Sequence, residues 1–454
     1  MDFEKIKKFY NDKGFVNSRS IRKEYKSNNK NNKKNAKTKV IGITGSKGKS
    51  TVAYLIHEYL KKLNYKSVLY SSIKIDSPAS TYSTNVSRDV ALYNEEDVLN
   101  IIEEVKAYDA DFLILEVNDS AIEKKLTNLI DFDIKLLTNF NSKHNLDQYS
   151  ETEYFELKKS FFENSSKNTI CIYGLQDYTK EILDYLMNSN ECSKKIYTSR
   201  HIANVKGVAE DMVDYLLYEL DHSLEGLEIG YFKNKESHQV KTNLIMNYNA
   251  LNIMGLISVI DTLGLYDELT LCEFLKNLKI PGRTEIYNFQ DFKVIIDSQM
   301  SSSLYELYNY KQKGLVNNII IITGSYGYGY KNWNKNLKTE INSELRHKNR
   351  EYAAEILKRY ADYVFITENE SGKENLYDIC YELKLCLNDK VKSEIVLERE
   401  EAIKKAIKIA KEKDVILIAG RGNRTVLCNS ENKAKVLRDK DIVIKHFDLG
   451  EYYG

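Results

Sequence analysis

The stretch that most constrains the fold of this chain is Val40-Ile-Gly-Ile-Thr-Gly-Ser-Lys-Gly-Lys-Ser-Thr51. It begins with an apolar run of strand-forming residues and then passes through a glycine-rich turn. The residues from Lys49 onward follow helical spacing, with apolar side chains on one face of the expected helix. These apolar residues include Val52, Leu55, Ile56 and Leu60. The pattern predicts a buried strand, a glycine-rich loop and an amphipathic helix in direct succession.

A loop of this composition has the chemistry of a phosphate-binding site. Its glycines let consecutive N–H groups face one anion, and the following helix points the positive end of its dipole at the same place. Lys49 would reach the β- and γ-phosphates of a nucleotide, and Ser50 would offer its hydroxyl to Mg²⁺. The spacing departs from the general motif, because Ile43 stands where the first glycine would fall. The alternative is a flexible turn without a ligand, but a turn needs neither the strand before it nor the Lys-Ser-Thr after it. The predicted nucleotide-binding residues here are Gly45, Ser46, Lys47, Gly48, Lys49, Ser50 and Thr51.

Composition narrows the class of protein. The 454 residues are 42% hydrophobic, as in an ordinary soluble protein. Their net charge is only +1, which disfavours a dominant nucleic-acid-binding role because such proteins usually carry an excess of basic residues. The six cysteines form no C-x-x-C pair, which favours reduced thiols over a zinc site. No apolar run reaches the roughly 18 residues of a membrane span, and no signal pattern opens the chain. We therefore expect a cytoplasmic protein with two or three domains.

Residues 1–39 contain thirteen Lys or Arg against four Asp or Glu, which predicts a basic, flexible arm. A solvated tail is favoured over an arm that steers an anionic substrate.

After this arm, strand-like and helical runs alternate twice, which predicts an α/β fold with helices on both faces of parallel sheets. The expected organisation is a parallel-sheet P-loop ATPase domain at 40–279 and a Rossmann-like α/β domain at 280–454.

Other motifs follow the loop in a set order. The run Asp111-Phe-Leu-Ile-Leu-Glu-Val117 predicts a strand that ends in Glu116, and parallel sheets bind ligands at the carboxyl ends of their strands. A second strand-like run, Leu136-Leu-Thr-Asn-Phe140, comes next. The remaining members are His144, Leu146-Asp147, the Tyr154-x-x-x-Lys158-x-x-x-Phe162 helix, Asn249-Ala-Leu and Pro281-Gly-Arg283. From about Val40 to the C-terminus this ordered set resembles the ATP-dependent Mur ligases, and is most similar to their UDP-N-acetylmuramyl-tripeptide synthetase branch.

The resemblance implies an ADP-forming ligase that uses ATP and two Mg²⁺ ions to convert a carboxylate into an acyl phosphate, which an amine then attacks. Lys49 would hold phosphates, while Ser50 and Glu116 would bind the first Mg²⁺. Glu116, His144 and Lys158 would serve the second ion, and Lys158 matches the family lysine that becomes a carbamate. Asn249 matches an adenine contact, and Arg283 and Asp297 match positions that close onto the nucleotide. The implied partners are small carboxylate and amino-acid-like amine substrates. Taken singly, Glu116, His144, Lys158 and Arg283 also suit ordinary surface or loop positions.

Several segments depart from the family pattern. The family's nucleotide-sugar-binding domain before the loop is replaced by the basic arm, which predicts weak binding of UDP-linked muramyl peptides. Three runs of the branch are replaced in this chain. Asn118-Asp-Ser-Ala121 stands in place of its Ser-Ser-His-Ala run, and Asp297-Ser-Gln-Met300 in place of its Asp-Tyr-Ala-His run. Glu368-Asn-Glu-Ser371 stands in place of its amino-acid-reading Asp-Asn-Pro-Arg run. An extra Asn145 follows His144. Three hypotheses therefore stay open: a Mur-type ligase with another carboxylate acceptor, a cell-wall amino-acid-adding ligase, and a nucleotide-binding protein without ligase turnover.

Overall fold

The computed structural model describes residues 38–77, 80–83, 94–141, 149–176, 180–188, 191–327, 343–428 and 434–448. His144, Asp147 and nearly all of the predicted basic arm lie outside these residues. The described residues form two compact units, and the main boundary between them in the sequence follows Leu278. We refer to them as the N-terminal unit and the C-terminal unit. The functional domains 40–279 and 280–454 stay a prediction.

Eleven described strands of the N-terminal unit form one sheet, in the order β11-β10-β9-β8-β7-β6-β1-β5-β2-β3-β4. The strands from β9 to β2 in this order are parallel, and antiparallel strands extend both edges. The strands are β1 (Lys39–Thr44), β2 (Ser67–Tyr70), β3 (Lys74–Ser77), β4 (Ser80–Ser83), β5 (Phe112–Glu116), β6 (Ile134–Leu137), β7 (Ile170–Gly174), β8 (Ser193–Ser199), β9 (Tyr215–Ser223), β10 (Gly226–Lys233) and β11 (Glu236–Thr242).

Helices connect these strands. They are α1 (Lys49–Lys62), α2 (Glu95–Ala107), α3 (Asp119–Glu123), α4 (Glu151–Glu163), α5 (Lys180–Asn188), α6 (Arg200–Lys206), α7 (Tyr248–Thr262) and α8 (Glu268–Lys276), with short 3₁₀ turns at Leu126–Leu129 and Glu210–Met212. Strand β1 lies between β5 and β6 in the sheet. After β1, the chain forms the strands on the β5 side of β1, and it then crosses to the other side of β1 to form β6. This is the switch point at which open α/β sheets bind ligands. The phosphate loop therefore lies at the place in the sheet where topology favours a site.

Helix α4 carries Lys158 and begins with a capping box. The Ser150 hydroxyl accepts a hydrogen bond from the Glu153 N–H, and the Glu153 carboxylate accepts one from the Ser150 N–H at 2.8 Å. We expect Ser150→Ala to lower the free energy of unfolding by about 1 kcal/mol, because the first turn loses its cap. Urea denaturation would measure this loss. An unchanged midpoint and slope would show that the cap contributes nothing to the stability of α4.

A buried histidine joins α1 to β3. His57 Nδ1 lies 2.9 Å from Ser67 Oγ and His57 Nε2 lies 3.0 Å from Asp76 Oδ2. Glu58 and Asp76 complete a possible metal-binding group with His57, but Lys61 and Lys74 already pair with these carboxylates. The cluster is therefore an ion-pair network.

The same histidine predicts a pH dependence of stability. Burial lowers the pKa of His57 below its ordinary 6.5, although the Asp76 hydrogen bond opposes this shift. The unfolded chain then binds the proton more readily, so the free energy of unfolding should fall as the pH drops from about 7 to about 5. Denaturation at several pH values would measure the slope. A slope that is the same in His57→Gln would contradict this assignment.

The C-terminal unit has a second sheet in the order β12-β13-β17-β14-β15-β16, in which only β12 is antiparallel. Its strands are β12 (Glu285–Asn288), β13 (Lys293–Asp297), β14 (Ile319–Thr323), β15 (Tyr363–Ile366), β16 (Lys392–Ile395) and β17 (Val415–Ala419); β18 (Val426–Cys428) and β19 (Ala434–Val436) form a separate pair. Its helices are α9 (Ser301–Gln312), α10 (Ser343–Tyr360), α11 (Leu376–Leu387), α12 (Arg399–Ile409) and α13 (Asp439–Asp448).

Both units confirm the predicted α/β fold class. The hydrophobic patterns predict a helix at 151–163 and strands at 394–397 and 415–419. Helix α4 and strand β17 have these bounds, whereas β16 begins two residues before Glu394. The residues from about 190 to 239, for which the sequence predicts a β-rich or mixed insertion, contain strand β8, helix α6 and strands β9 to β11, and β10 pairs with both β9 and β11 in antiparallel orientation. Five cysteines with described side chains are thiols that form no disulfide: Cys171, Cys192, Cys272, Cys380 and Cys386. Among the described helices, none has the length and apolar character needed to cross a bilayer.

Candidate active site

Two glycines of the phosphate loop are required by their surroundings. Gly45 has φ +148°, and a Cβ there would lie 2.1 Å from Thr138 Oγ1. Gly48 has φ +81°, and a Cβ there would lie 2.4 Å from Asn252 Oδ1. Any larger residue would be strained and would also clash, so the loop shape depends on glycine at both positions.

The residues that follow β6 hold the loop in place. Lys47 N donates to Asn139 Oδ1 at 2.9 Å, and Asn139 Nδ2 donates to the Lys47 carbonyl at 2.9 Å. Thr138 Oγ1 donates to the same carbonyl at 2.5 Å. These bonds fix Lys47 through its backbone, while its side chain is exposed. Thr138 and Asn139 thus preorganise the loop.

Lys49 lies over this loop at the start of α1. Its Nζ donates to the Gly45 carbonyl at 2.8 Å and lies 3.5 Å from the Ser46 carbonyl. Gly48 is the N-cap of α1 and provides no side-chain hydrogen bond to the first turn. The N–H groups of a first turn have no partner within their own helix and attract anions. The positive charge of Lys49 and the N-terminal end of α1 therefore lie at the same place, where both attract a phosphate.

A cluster of oxygen atoms lies next to Lys49. Ser50 Oγ donates to Glu116 Oε1 at 2.8 Å and lies 2.7 Å from Ser72 Oγ. Ser72 N donates to Glu116 Oε2 at 2.7 Å. Glu116 is the last residue of β5, and Ser50 and Glu116 were predicted to act together. Ser72 was missed, although its position just after β2 places it at the same carboxyl edge of the sheet.

Lys158 is buried in the N-terminal unit. Its side chain is 2% exposed, pairs with the Asp119 carboxylate and donates to Thr44 Oγ1 at 2.9 Å. Burial, with a smaller effect from Asp119, raises the pKa of Tyr154 to about 12, so this phenol stays neutral. The Tyr154 hydroxyl lies 3.2 Å from Ser46 Oγ, which connects the Lys158 helix to the phosphate loop.

Asn249, the implied adenine contact, is buried at the start of α7. Its Nδ2 donates to the Ile245 carbonyl at 2.7 Å, and its Oδ1 accepts a hydrogen bond from Asn252 Nδ2 at 2.9 Å. Asn252 in turn packs against Gly48. Asn249 therefore supports the loop through Asn252, and its contact with adenine stays a prediction.

Arg283 and Asp297 belong to the C-terminal unit. Arg283 Nη1 donates to the Gly282 carbonyl at 3.1 Å. Asp297 is buried at the carboxyl end of β13, where its two oxygens accept hydrogen bonds from Gln299 N and Ser303 Oγ at 2.9 and 2.7 Å. These bonds hold the turn into α9. A contact of either residue with a nucleotide stays a prediction.

The segment Glu368–Ser371 is buried after β15. Glu368 Oε1 accepts a hydrogen bond from Arg399 N at 3.1 Å, and Glu370 Oε2 accepts one from Arg424 Nη1 at 2.8 Å. Arg399 is itself bound through two bonds to the buried Asp439, at 2.7 and 2.9 Å. Both carboxylates of this segment therefore help to pack the C-terminal unit.

Comparison with known proteins assigns the family. The Mur ligase middle domain matches residues 43–260, and the Mur ligase glutamate ligase domain matches residues 341–422. The chain is 25% identical over 393 residues to UDP-N-acetylmuramoyl-L-alanyl-D-glutamate--2,6-diaminopimelate ligase of Fusobacterium nucleatum, covering 85% of this chain and 73% of the relative.

Solved structures agree on the fold. A folylpolyglutamate synthase from Thermotoga maritima has a TM-score of 0.57 at 15% identity, covering 85% of this chain and 86% of that one. A MurF ligase from Thermotoga maritima in complex with ADP has a TM-score of 0.55 at 17% identity, covering 84% of this chain and 76% of that one. Together the two family matches cover more than half of the chain, which belongs to the Mur ligase family and is an ATP-dependent, ADP-forming ligase.

Proposed function

We propose that the N-terminal unit binds ATP with Mg²⁺ at the phosphate loop, and that the enzyme uses this ATP to join a carboxylate to an amine. The observation that carries the proposal is the placement of Lys49 and the Ser50–Glu116 pair on one edge of the sheet. Lys49 and the first turn of α1 offer positive charge to phosphates, and Glu116 offers a carboxylate beside them. Charge of both signs is needed where a metal–nucleotide complex binds.

The residues present fit a magnesium ion. Mg²⁺ prefers oxygen ligands and is usually held by one or two carboxylates together with phosphates and water. The Ser50 hydroxyl and the Glu116 carboxylate provide such oxygens, and Ser72 orients the carboxylate through its N–H. When bound, the ion would neutralise charge on the phosphates. The second ion and its ligand His144 stay predictions from the family resemblance.

The proposed reaction has two steps. An oxygen of the substrate carboxylate attacks the γ-phosphorus and displaces ADP, which gives an acyl phosphate. The amine then attacks the acyl carbon, phosphate leaves with that oxygen, and the amine loses a proton. Lys49 and the loop would hold the phosphates in line, since positioning and charge cancellation dominate phosphoryl transfer.

We propose that the carboxylate belongs to a peptide-like acceptor and that the amine is an amino acid. The curated relative's name states that it joins 2,6-diaminopimelate to a UDP-N-acetylmuramoyl dipeptide. The segment Glu368–Ser371 differs from the amino-acid-reading run of that branch, which favours a different amine here. A UDP-muramyl peptide and a γ-glutamyl acceptor are both candidates.

A matrix of carboxylates and amines, assayed for ADP release with Mg²⁺ and ATP, tests the proposed function. The carboxylates in the panel should include UDP-N-acetylmuramyl peptides, γ-glutamyl peptides and free amino acids. Each carboxylate should be assayed with and without an amino acid that serves as the amine. We expect release that requires both substrates. ADP release that is equal with and without the amine would indicate an ATPase and would contradict the ligase assignment.

A further inference from the structure

Two cysteines of the N-terminal unit place their sulfur atoms in contact. Cys192 Sγ lies 3.2 Å from Cys171 Sγ, and both residues are buried, with Cys192 6% and Cys171 0% exposed. Cys171 is the second residue of β7, and Cys192 immediately precedes β8, which pairs with β7 in parallel. The contact therefore lies toward the amino ends of two neighbouring strands, whereas the phosphate loop follows the carboxyl end of β1.

Hydrogen bonds orient the two thiols. The Cys192 thiol donates to Cys171 Sγ, and the Cys171 thiol donates to Ser165 Oγ at 3.5 Å. Cys171 thus turns a sulfur lone pair, and not its hydrogen, toward Cys192. A disulfide bond is about 2.0 Å long, so the two sulfurs need to approach each other by only about 1 Å to form one. This arrangement favours a bond between the two sulfurs.

A metal ion is a less suitable partner for this pair. Zn²⁺ binds thiolates, but structural zinc sites have four protein ligands. No His, Asp, Glu or third Cys of the residues that the structure describes completes such a group with the two sulfurs. Oxidation to a disulfide needs no further ligand, so it is the chemistry that this pair supports best.

Cys192 is the thiol that an oxidant from solution would reach first. Its neighbours Glu191 and Ser193 are exposed, whereas Cys171 is fully buried. Burial, followed by the hydrogen bond to Cys171, raises the pKa of Cys192 to about 12, and Lys194 opposes this rise. The reactive thiolate is therefore scarce at neutral pH, which makes the first step of oxidation slow. The second step is faster because the two sulfurs are already held in contact.

We propose that Cys171 and Cys192 form a modification site at which a hydroperoxide joins β7 to the start of β8 through a disulfide bond. The Cys192 sulfur loses its proton and attacks one oxygen of the peroxide. The O–O bond breaks, an S–OH group forms on Cys192, and the other oxygen leaves with the proton as an alcohol, or as water when the oxidant is hydrogen peroxide. The Cys171 sulfur then attacks the Cys192 sulfur, the S–O bond breaks, and water leaves with the Cys171 proton. The thiols lose two electrons and two protons, which the peroxide takes up.

The bond would close a loop of the chain that contains helix α5. A cross-link of this kind restricts the unfolded chain and so stabilises the folded protein. We expect the melting temperature to rise by about 3 °C or more on oxidation and to return to its starting value with dithiothreitol.

Peptide mapping of the full chain after treatment with hydrogen peroxide tests the proposal. Without reduction, the tryptic peptides 168–180 and 181–194, which hold one cysteine each, should appear as one linked species. Dithiothreitol should separate them. Sulfoxide at Met212, which is 49% exposed, shows in the same digest that the oxidant has acted.

Cys380 is the matched control within the same protein. Burial raises the pKa of Cys380 to about 12, as at Cys192, but its thiol donates to the Thr367 carbonyl and not to another thiol. The peptide that contains Cys380 should therefore stay reduced.

Cys171→Ser separates the two steps of the reaction. This variant can form the S–OH group on Cys192 but has no thiol to displace the oxygen, so dimedone should label Cys192 far more than in the wild type. Cys192→Ser should leave the fully buried Cys171 unlabelled. Neither variant should gain melting temperature on oxidation.

Met212 sulfoxide together with separate, reduced Cys171 and Cys192 peptides in the wild type would overturn the proposal. A link from either residue to another cysteine would contradict it as well. The wild-type map decides the question even if a serine variant fails to fold. It needs neither ATP nor Mg²⁺, so its result is independent of the proposed function.

Discussion

Lys49→Ala is expected to reduce ATP turnover about a hundredfold or more, while the protein stays folded. Lys49 Nζ contacts only loop carbonyls among the described hydrogen bonds, at 2.8 and 3.5 Å, so its loss removes little packing. Its charge would be needed where negative charge develops on the transferred phosphoryl group. Steady-state ADP release, together with circular dichroism and a thermal melt, would measure both parts of this prediction.

Lys62→Ala is the matched control. Lys62 lies at the other end of α1, where it pairs with the exposed Glu273 at 3.3 Å. This substitution removes the same charge from the same helix but leaves the loop unchanged. Parent-like turnover in Lys49→Ala would show that the loop does not act as a phosphate site.

Glu116→Gln is expected to abolish Mg²⁺-dependent turnover and to weaken Mg²⁺ binding at least tenfold. The amide keeps nearly the same shape but carries no negative charge, and Mg²⁺ binds carboxylates in preference to neutral groups. It also replaces one oxygen that accepts from Ser50 or Ser72 with an NH₂ donor. A magnesium titration of nucleotide binding by calorimetry would measure the change.

Glu123→Gln is the control for this variant, because Glu123 is exposed at the end of α3 and lies outside the oxygen cluster. It should bind Mg²⁺ and nucleotide like the wild type. Equal magnesium dependence in Glu116→Gln and the wild type would exclude Glu116 as a metal ligand.

Much of this fold follows from patterns that are local in the sequence. The strand, loop and helix around Lys49 and the full extent of α4 were predicted, because hydrophobic spacing and capping residues act over a few neighbouring positions. Short antiparallel strands such as β3, β12 and β19 were missed. They are only three or four residues long, and pairing with a neighbouring strand is what defines them.

The parts of the site that sequence reasoning missed depend on contacts between distant residues. Asp119 pairs with Lys158 across 39 positions, and Asn252 meets Gly48 across the fold. No local pattern encodes such pairs. The interpretation of Lys158 as a solvated helix residue is wrong, since α4 buries Tyr154, Lys158, Phe161 and Phe162 on one face. That helical spacing was visible in the sequence and already placed Lys158 toward the core.

The most direct test of the ligase assignment uses the carboxylate that the ADP-release matrix identifies, labelled with ¹⁸O in both carboxylate oxygens. If the carboxylate is activated as an acyl phosphate, one labelled oxygen must leave with the phosphate when the amine attacks. We therefore expect ¹⁸O in the phosphate that the wild type releases. The wild type should form ADP and amide in equal amounts, and Lys49→Ala should form both of them far more slowly. Unlabelled phosphate, or amide formed with AMP and pyrophosphate, would contradict the account.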